Sequence, residues 1–363
     1  MDHHSKPFDE VTKLKLHIFK EYTKEWLPVF LAPKNVIWKT INIFDFFAGP
    51  GEDSNGTLGT PMLILNEIEA YLKHISIKAL RVNIYFNEYD KTKYKFLSDK
   101  IFSLGLKPYN IYPSNQDFQD CFNHLYPLMQ GSDVANLVLL DQNGIKQINT
   151  EVFQKIISLK TTDFIFFISS STLKRFSEHP NILKHINIEK ENLIKTDYHK
   201  IHRLITEYYR SLIPERKEYY IAPFSLKKDS GIYGLVFGSR HVLGIEKFLK
   251  LVWKLDPERG EANFDIDKEN IQKHQYDLFS NKPSKPKKIE DFENELSNLI
   301  LIGLLKTDKD VYLYTLNNSF APKQACDVLD DLIYENKIVS KKFNLNNKVC
   351  KKDAIITQII LLT

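Results

Sequence analysis

The chain has 363 residues, 43% hydrophobic and 26% charged, with a formal net charge of +4 at pH 7; this is a globular composition and excludes a disordered or collagen-like chain. Its three cysteines, Cys121, Cys326 and Cys350, are widely spaced and form no CxxC pair, so they exclude a disulfide scaffold and a reduced, cytoplasmic setting is expected. No cationic start with an apolar core opens the chain, and no run approaches the roughly 20 apolar residues of a membrane span, so neither secretion nor a membrane is expected.

Val11, Leu14, Ile18, Tyr22 and Trp26 recur at near-helical spacing, predicting a helix from about Asp9 to Leu31 that Pro28 interrupts. It is expected to lie over a ligand site or against a sheet. The run from Ile41 to Phe47, broken by Asn42 and Asp45, then suits a buried strand. That strand stops at Ala48-Gly49-Pro50-Gly51, where glycines around a proline let a ligand approach the main chain closely. Thr60 is expected to cap the next helix, with Pro61 in its first turn.

Strands and helices then alternate. Strands are expected at Leu80 to Phe86, Lys107 to Tyr112, Ala135 to Leu140 and Asp163 to Ile168. The helices between them are Lys91 to Leu104, Gln116 to Met129 and Thr150 to Leu159. Such alternation predicts a mostly parallel sheet covered on both faces. Helical turns near Leu173 to Phe176 and Tyr198 to Leu212 follow. The runs Glu218 to Leu226 and Ile232 to Phe237, around a Lys-Lys-Asp-Ser-Gly loop, then signal a hairpin. Five parallel strands closed by a terminal antiparallel hairpin are the pattern of the class I methyltransferase variant of the Rossmann-like sheet. A helix from Val242 to Leu255 finishes this domain, expected to span residues 1–256.

Residues 257–290 carry little periodicity and hold a proline- and lysine-rich stretch ending at Lys288, the composition of a linker. Regular patterning returns over 291–363. It predicts a helix through Leu305, a short element at Asp310 to Leu316, a helix from Pro322 to Asn336, and strand-like runs at Ile338 to Phe343 and Ala354 to Leu362. Helices followed by a small hairpin suggest a C-terminal winged helix.

Open α/β sheets bind nucleosides at the carboxyl ends of their strands, and four acids fall there. Asp45 ends the first strand before the glycine turn and can hold an ammonium or a hydroxyl. Glu88 follows the second strand, where an acid accepts hydrogen bonds from ribose hydroxyls; Asp90 is assigned to capping the next helix. After the third strand, Asp117 and Phe118 can hold an adenine amino group and stack on its ring, while Asp117 also suits a helix cap. Asp141 leaves the fourth strand beside the turn and is the candidate for orienting a methyl acceptor. No GK[ST] follows the turn and no GxGxxG is present, which excludes a P-loop and the dinucleotide fingerprint. His199 and His202, three apart, lack a third ligand in sequence, so no metal is expected.

The run Phe44 to Gly51, followed by Gly56 and Gly59-Thr60-Pro61, resembles the opening signature of the three-Cys-motif partner proteins, a bacterial family of methyltransferase-like chains. Phe237 to His241, Trp253-Lys254 and Gly260-Glu261 are also similar to family features. The family's fourth-strand Asp-Pro-aromatic-Gly is similar to Asp141-Gln142-Asn143-Gly144, departing at the two middle positions; either the acceptor differs or the position is not catalytic. The resemblance implies an S-adenosylmethionine-binding domain, and it implies that the three cysteines naming the family belong to a partner protein. Asp45 would bind the methionine ammonium and the Ala48, Gly49, Pro50 and Gly51 backbone would pass beneath it. A cytosine-C5 mechanism needs a cysteine after the fourth strand, and none stands there.

In the tail helix, Asp327, Asp330, Asp331 and Glu335 form the polar side, which would repel phosphates. The basic residues are Lys341, Lys342, Lys348, Lys351 and Lys352, joined by the linker lysines. Contact with a nucleic-acid backbone through these lysines, or with a partner protein through the helix, is expected in place of base readout. Two functions fit: S-adenosylmethionine-dependent methyl transfer, with nucleic acid as acceptor, or a catalytically silent subunit that binds this nucleotide and recruits a partner enzyme.

Overall fold

The computed structural model describes residues 7–141, 148–170, 173, 188–228, 231–271 and 284–362. The chain forms two compact units, Met1–Tyr219 with Ser225–Arg240, and Tyr220–Phe224 with His241–Thr363.

The first unit opens with α1 (Glu10–Leu31), whose cap Asp9 accepts a hydrogen bond from the Thr12 N–H at 2.8 Å. Its apolar stripe buries Leu16, Phe19, Tyr22, Trp26 and Leu27. The strands are β1 (Thr40–Asp45), β2 (Arg81–Asn87), β3 (Asn110–Ser114), β4 (Val134–Leu140), β5 (Thr162–Ile168), β6 (Tyr220–Lys228) and β7 (Gly231–Ser239). They make one seven-stranded sheet in the order β3-β2-β1-β4-β5-β7-β6. β1 to β5 run parallel and β7 runs antiparallel to β5. This is the class I methyltransferase sheet that the alternating pattern predicts. The linking helices are α2 (Thr60–Glu69), α3 (Leu72–Lys78), α4 (Lys91–Ser103), α5 (Phe118–Met129) and α6 (Thr150–Ser158). Between β5 and β6 come α7 (Lys190–Lys195) and α8 (Ile201–Ser211), with a short 3-10 turn at Tyr198–Lys200. Of the helical turn expected near Leu173 to Phe176, only Leu173 lies within the described residues.

A polar layer fixes the register of the parallel strands. β1, β2 and β3 each read Asn-Ile-aromatic, as Asn42-Ile43-Phe44, Asn83-Ile84-Tyr85 and Asn110-Ile111-Tyr112, and the three triplets lie in register. Asn110 donates to the Asn83 carbonyl oxygen at 3.0 Å, Asn83 to Asn42 at 3.0 Å, Asn42 to Asn136 at 3.1 Å, and Asn136 to Thr162 Oγ1 at 3.0 Å. The second N–H groups of Asn42 and Asn136 go to the Leu128 and Met129 carbonyls at the end of α5. Two residues further along, Phe44, Tyr85 and Tyr112 stack with centroid spacings of 4.8 and 4.9 Å. A one-residue slip would turn these amides to the other face and leave buried donors unpaired, so the ladder makes the register specific.

One local expectation is corrected here. Gly59, not Thr60, caps α2. The Gly59 N–H reaches the Gly51 carbonyl at 2.8 Å, and a Cβ on Gly59 would stand 3.2 Å from that peptide, so the close approach reserves the cap for glycine.

The second unit holds α9 (Val242–Leu255), α10 (Lys287–Leu301), α11 (Asp308–Asn317), α12 (Pro322–Tyr334) and a 3-10 turn at Asn347–Cys350. Phe292 stacks on Phe320 at 3.8 Å, with Trp253 5.2 Å from Phe320. Gly260, at φ +61°, lies against the Trp253 indole, where a Cβ would fall 2.2 Å from the ring. The short element expected at Asp310 to Leu316 is a helix, started by a capping box between Thr307 and Asp310. The two strand-like runs make only isolated bridges, Ile338 to Leu361 and Thr307 to Gln358. The last segment passes between two short partners, with Ile359 N–H bonded to Lys306 O and Leu362 N–H to Lys337 O. It therefore runs along neither far enough to build a ladder.

Candidate functional site

The carboxyl ends of the central strands converge on the turn after β1. Its path is set by backbone bonds: Phe46 N–H to Leu139 O at 3.2 Å and Ala48 N–H to Asn87 O at 2.9 Å. Gly49 and Gly51 have φ of +68° and +91°, a region that side chains disfavour. The loop beyond is folded on Asp53, whose carboxylate accepts from the N–H groups of Asn55, Thr57 and Phe8 at 2.7 to 2.9 Å.

Asp45 is 2% exposed. Its Oδ1 accepts the Phe47 N–H at 3.1 Å, and its Oδ2 is buried with no hydrogen-bond partner among the described residues. Burial drives this carboxyl up to about 8, opposed by the Phe47 amide, reinforced by the charges of Asp141 and Glu88, and opposed by Lys15. A buried acid of this kind is protonated at neutral pH until a cation reaches it.

Glu88 accepts the Gly49 N–H on Oε2 at 2.9 Å and the Asp90 N–H on Oε1 at 2.8 Å, so it ties the turn to the end of β2. Asp90 caps α4 through Thr92 and Lys93, the role assigned to it. Asp117 is exposed and caps α5, its Oδ1 accepting the Gln119 N–H at 2.8 Å. Phe118 is 3% exposed, and its ring packs on Phe46, Phe47 and Phe122. The half-buried Phe47 ring stacks on it at 5.3 Å and is the more exposed of the two.

Asp141 sits at the end of β4, where Lys15 of α1 donates a hydrogen bond to its Oδ2. The Lys15 ammonium also lies 4.9 Å from the centre of the Phe167 ring. Gln142, Asn143 and Gly144, the departures from the family pattern, lie outside the described residues. The structure thus brings Asp45, Glu88, Asp141 and residues 48–51 together, with Asp117 and Phe118 at the start of α5 joined to the turn through Phe47.

Two residues escaped the sequence reading. Lys15 lies on an amphipathic helix, where a lysine is ordinary, and nothing in the sequence pairs it with a residue 126 positions away. Asn115 donates to the Glu88 and Tyr89 carbonyls at 2.7 and 2.8 Å, clamping two loops together; its polar position after a strand was the available signal.

In the second unit, Asp327, Asp330, Asp331 and Glu335 are exposed while Ala325, Val328, Leu329 and Leu332 are buried. Lys341, Lys342, Lys348, Lys351 and Lys352 are all exposed. Of the linker lysines, Lys288 turns inward to Glu261 Oε2 at 3.0 Å. No group of metal-ligating side chains occurs among the described residues, and none of their helices is long and apolar enough to cross a membrane.

Comparison with known proteins matches residues 265–341 to the GMT-like wHTH domain family. No curated protein sequence matches the chain. Among solved structures it is similar to the bifunctional kinase-methyltransferase WbdD, at 9% identity and TM-score 0.34 over 63% of this chain and 39% of that one. It is also similar to an rRNA methylase from Streptococcus thermophilus, at 8% identity and TM-score 0.31 over 64% of this chain and 98% of that one. An O-methyltransferase from Bacillus cereus in complex with SAH gives 11% identity and TM-score 0.34 over 64% and 91%.

Proposed function

We propose that the sheet-bearing unit binds S-adenosylmethionine and transfers its methyl group, with nucleic acid as the acceptor class, and that the chain is a bacterial, cytoplasmic three-Cys-motif partner protein. The observation that carries this reading is the buried Oδ2 of Asp45, without a hydrogen-bond partner among the described residues, beside a glycine turn. A buried carboxylate without a partner is costly, and an ammonium offsets that cost. The donor set fits the cofactor. Asp45 would hold the methionine ammonium and the Ala48, Gly49, Pro50 and Gly51 backbone would pass beneath it. The remaining lone pairs of Glu88 would accept the ribose hydroxyls, and Asp117 and Phe118, with the half-buried Phe47 ring stacked on Phe118, would border the adenine.

When bound, the cofactor supplies a sulfonium-activated methyl group, so the protein's part is alignment and proton removal. Asp141 is the residue that would accept an acceptor N–H or O–H. The exposed lysines from Lys341 to Lys352 would meet phosphates, while the acidic face of α12 suits a partner protein. The alternative is a catalytically silent subunit, and the Lys15 contact that occupies Asp141 favours it. Calorimetric titration with S-adenosylmethionine tests the shared step. Binding by wild type and its loss in Asp45→Ala are expected; no heat with wild type, or unchanged affinity in the variant, sinks the assignment. Methyl incorporation by wild type and its loss in Asp141→Ala would separate the enzyme from the silent subunit.

A further inference from the structure

Resting on that cofactor reading, we infer that Lys15 is a positioning residue that exchanges Asp141 for the α-carboxylate of the ligand. An amino-acid end carries its ammonium and carboxylate on one carbon, so a ligand anchored by its ammonium at Asp45 Oδ2 must place a carboxylate nearby. Among the described residues, the charges of Asp141 and Glu88 bear on Asp45 and repel that carboxylate, while the Lys15 ammonium bears on the same place with the opposite sign. Its side chain is 12% exposed. It is held in position by the buried stripe of α1 and by the Phe8 N–H, which ties the start of the helix to Asp53 in the loop beyond the glycine turn.

The Lys15 ammonium bonds to Asp141 Oδ2. A carboxylate arriving beside Asp45 competes for that ammonium, and Asp141 Oδ2 is then released toward an acceptor. The exchange makes cofactor binding a precondition for acceptor binding, so α1 works as a latch that opens from the cofactor side.

The test uses the full chain and calorimetry with three probes: S-adenosylmethionine and S-adenosylhomocysteine, which carry the amino-acid end, and 5′-methylthioadenosine, which lacks it. In Lys15→Met, affinity for the first two is expected to fall by about tenfold or more, as for loss of one partner of a desolvated charge pair. Affinity for 5′-methylthioadenosine should stay at the wild-type value, which also shows that the variant is folded, and Lys15→Arg should recover most of the loss. Asp141→Asn, which removes the competitor for Lys15, should tighten S-adenosylhomocysteine several-fold. Unchanged affinity for all three probes in Lys15→Met, or an equal loss for all three, overturns the carboxylate contact. Unchanged S-adenosylhomocysteine affinity in Asp141→Asn overturns the exchange. Failure of the cofactor reading itself looks different, because wild type then binds none of the probes.

Discussion

Asn42 and Asp45 stand three residues apart on β1, both almost fully buried, yet their polar groups are treated in opposite ways. Asn42 uses both N–H groups and its carbonyl oxygen, bonding to Asn83 and Asn136 in the sheet and to the Leu128 carbonyl at the end of α5. Asp45 has one backbone donor and an oxygen with no hydrogen-bond partner among the described residues. A satisfied buried network specifies a fold, whereas an unsatisfied buried acid is a cost that a cationic ligand offsets. The difference separates the polar residues that build this sheet from those kept ready for chemistry.

Substitution at Asp45 should have the largest effect. Asp45→Asn is expected to weaken S-adenosylmethionine by at least about a hundredfold, as for a desolvated charge pair deprived of one partner. It should also stabilise the fold. The folded carboxyl titrates near 8, above its unfolded value, so the stability it contributes is full below about pH 4 and is lost as pH rises through 8. Thermal melts should therefore show the advantage of Asp45→Asn growing from pH 4 to 8 and levelling above, reaching a few kcal/mol. A wild type as stable as the variant at pH 8 would refute the buried-acid account.

Asn42→Ala should do the reverse. It leaves Asn83 and Asn136 short of partners and is expected to cost about 2–4 kcal/mol by denaturant unfolding, while the folded fraction keeps its ligand affinity. Glu88→Gln is milder, because its one amide oxygen keeps an acceptor for one of the Gly49 and Asp90 N–H groups while the other loses its partner; nucleoside affinity by calorimetry should fall about tenfold through the lost charge-assisted bonds. The smallest effect belongs to the exposed lysines. Lys351→Ala with Lys352→Ala should leave cofactor binding alone and reduce the salt slope of duplex binding by about 2 if both meet phosphates. An unchanged slope would exclude those two residues from the interface.

The strand ends were legible because period, glycine turns and acids coincide there. Asp45, Glu88 and Asp141 could be placed together from the order of strands alone. Helices with a clear stripe were also legible, as Val242–Leu255 shows. What the pattern hid was pairing across the chain. The three Asn-Ile-aromatic triplets have an ordinary strand composition, and only their common register makes a ladder of them. Lys15 is hidden in the same way. The tail misled for a different reason: β-branched residues at 354–362 favour extended backbone, but extended backbone without a long neighbour makes bridges and no strand.

Cofactor binding should drive a proton off the Asp45 carboxyl. Calorimetric titration of wild type at pH 7 with S-adenosylhomocysteine, repeated in buffers of different ionisation enthalpy, should show about one proton released as the ammonium ionises Asp45. Binding without proton release would mean that Asp45 is already ionised or does not meet the ligand, and would contradict the account.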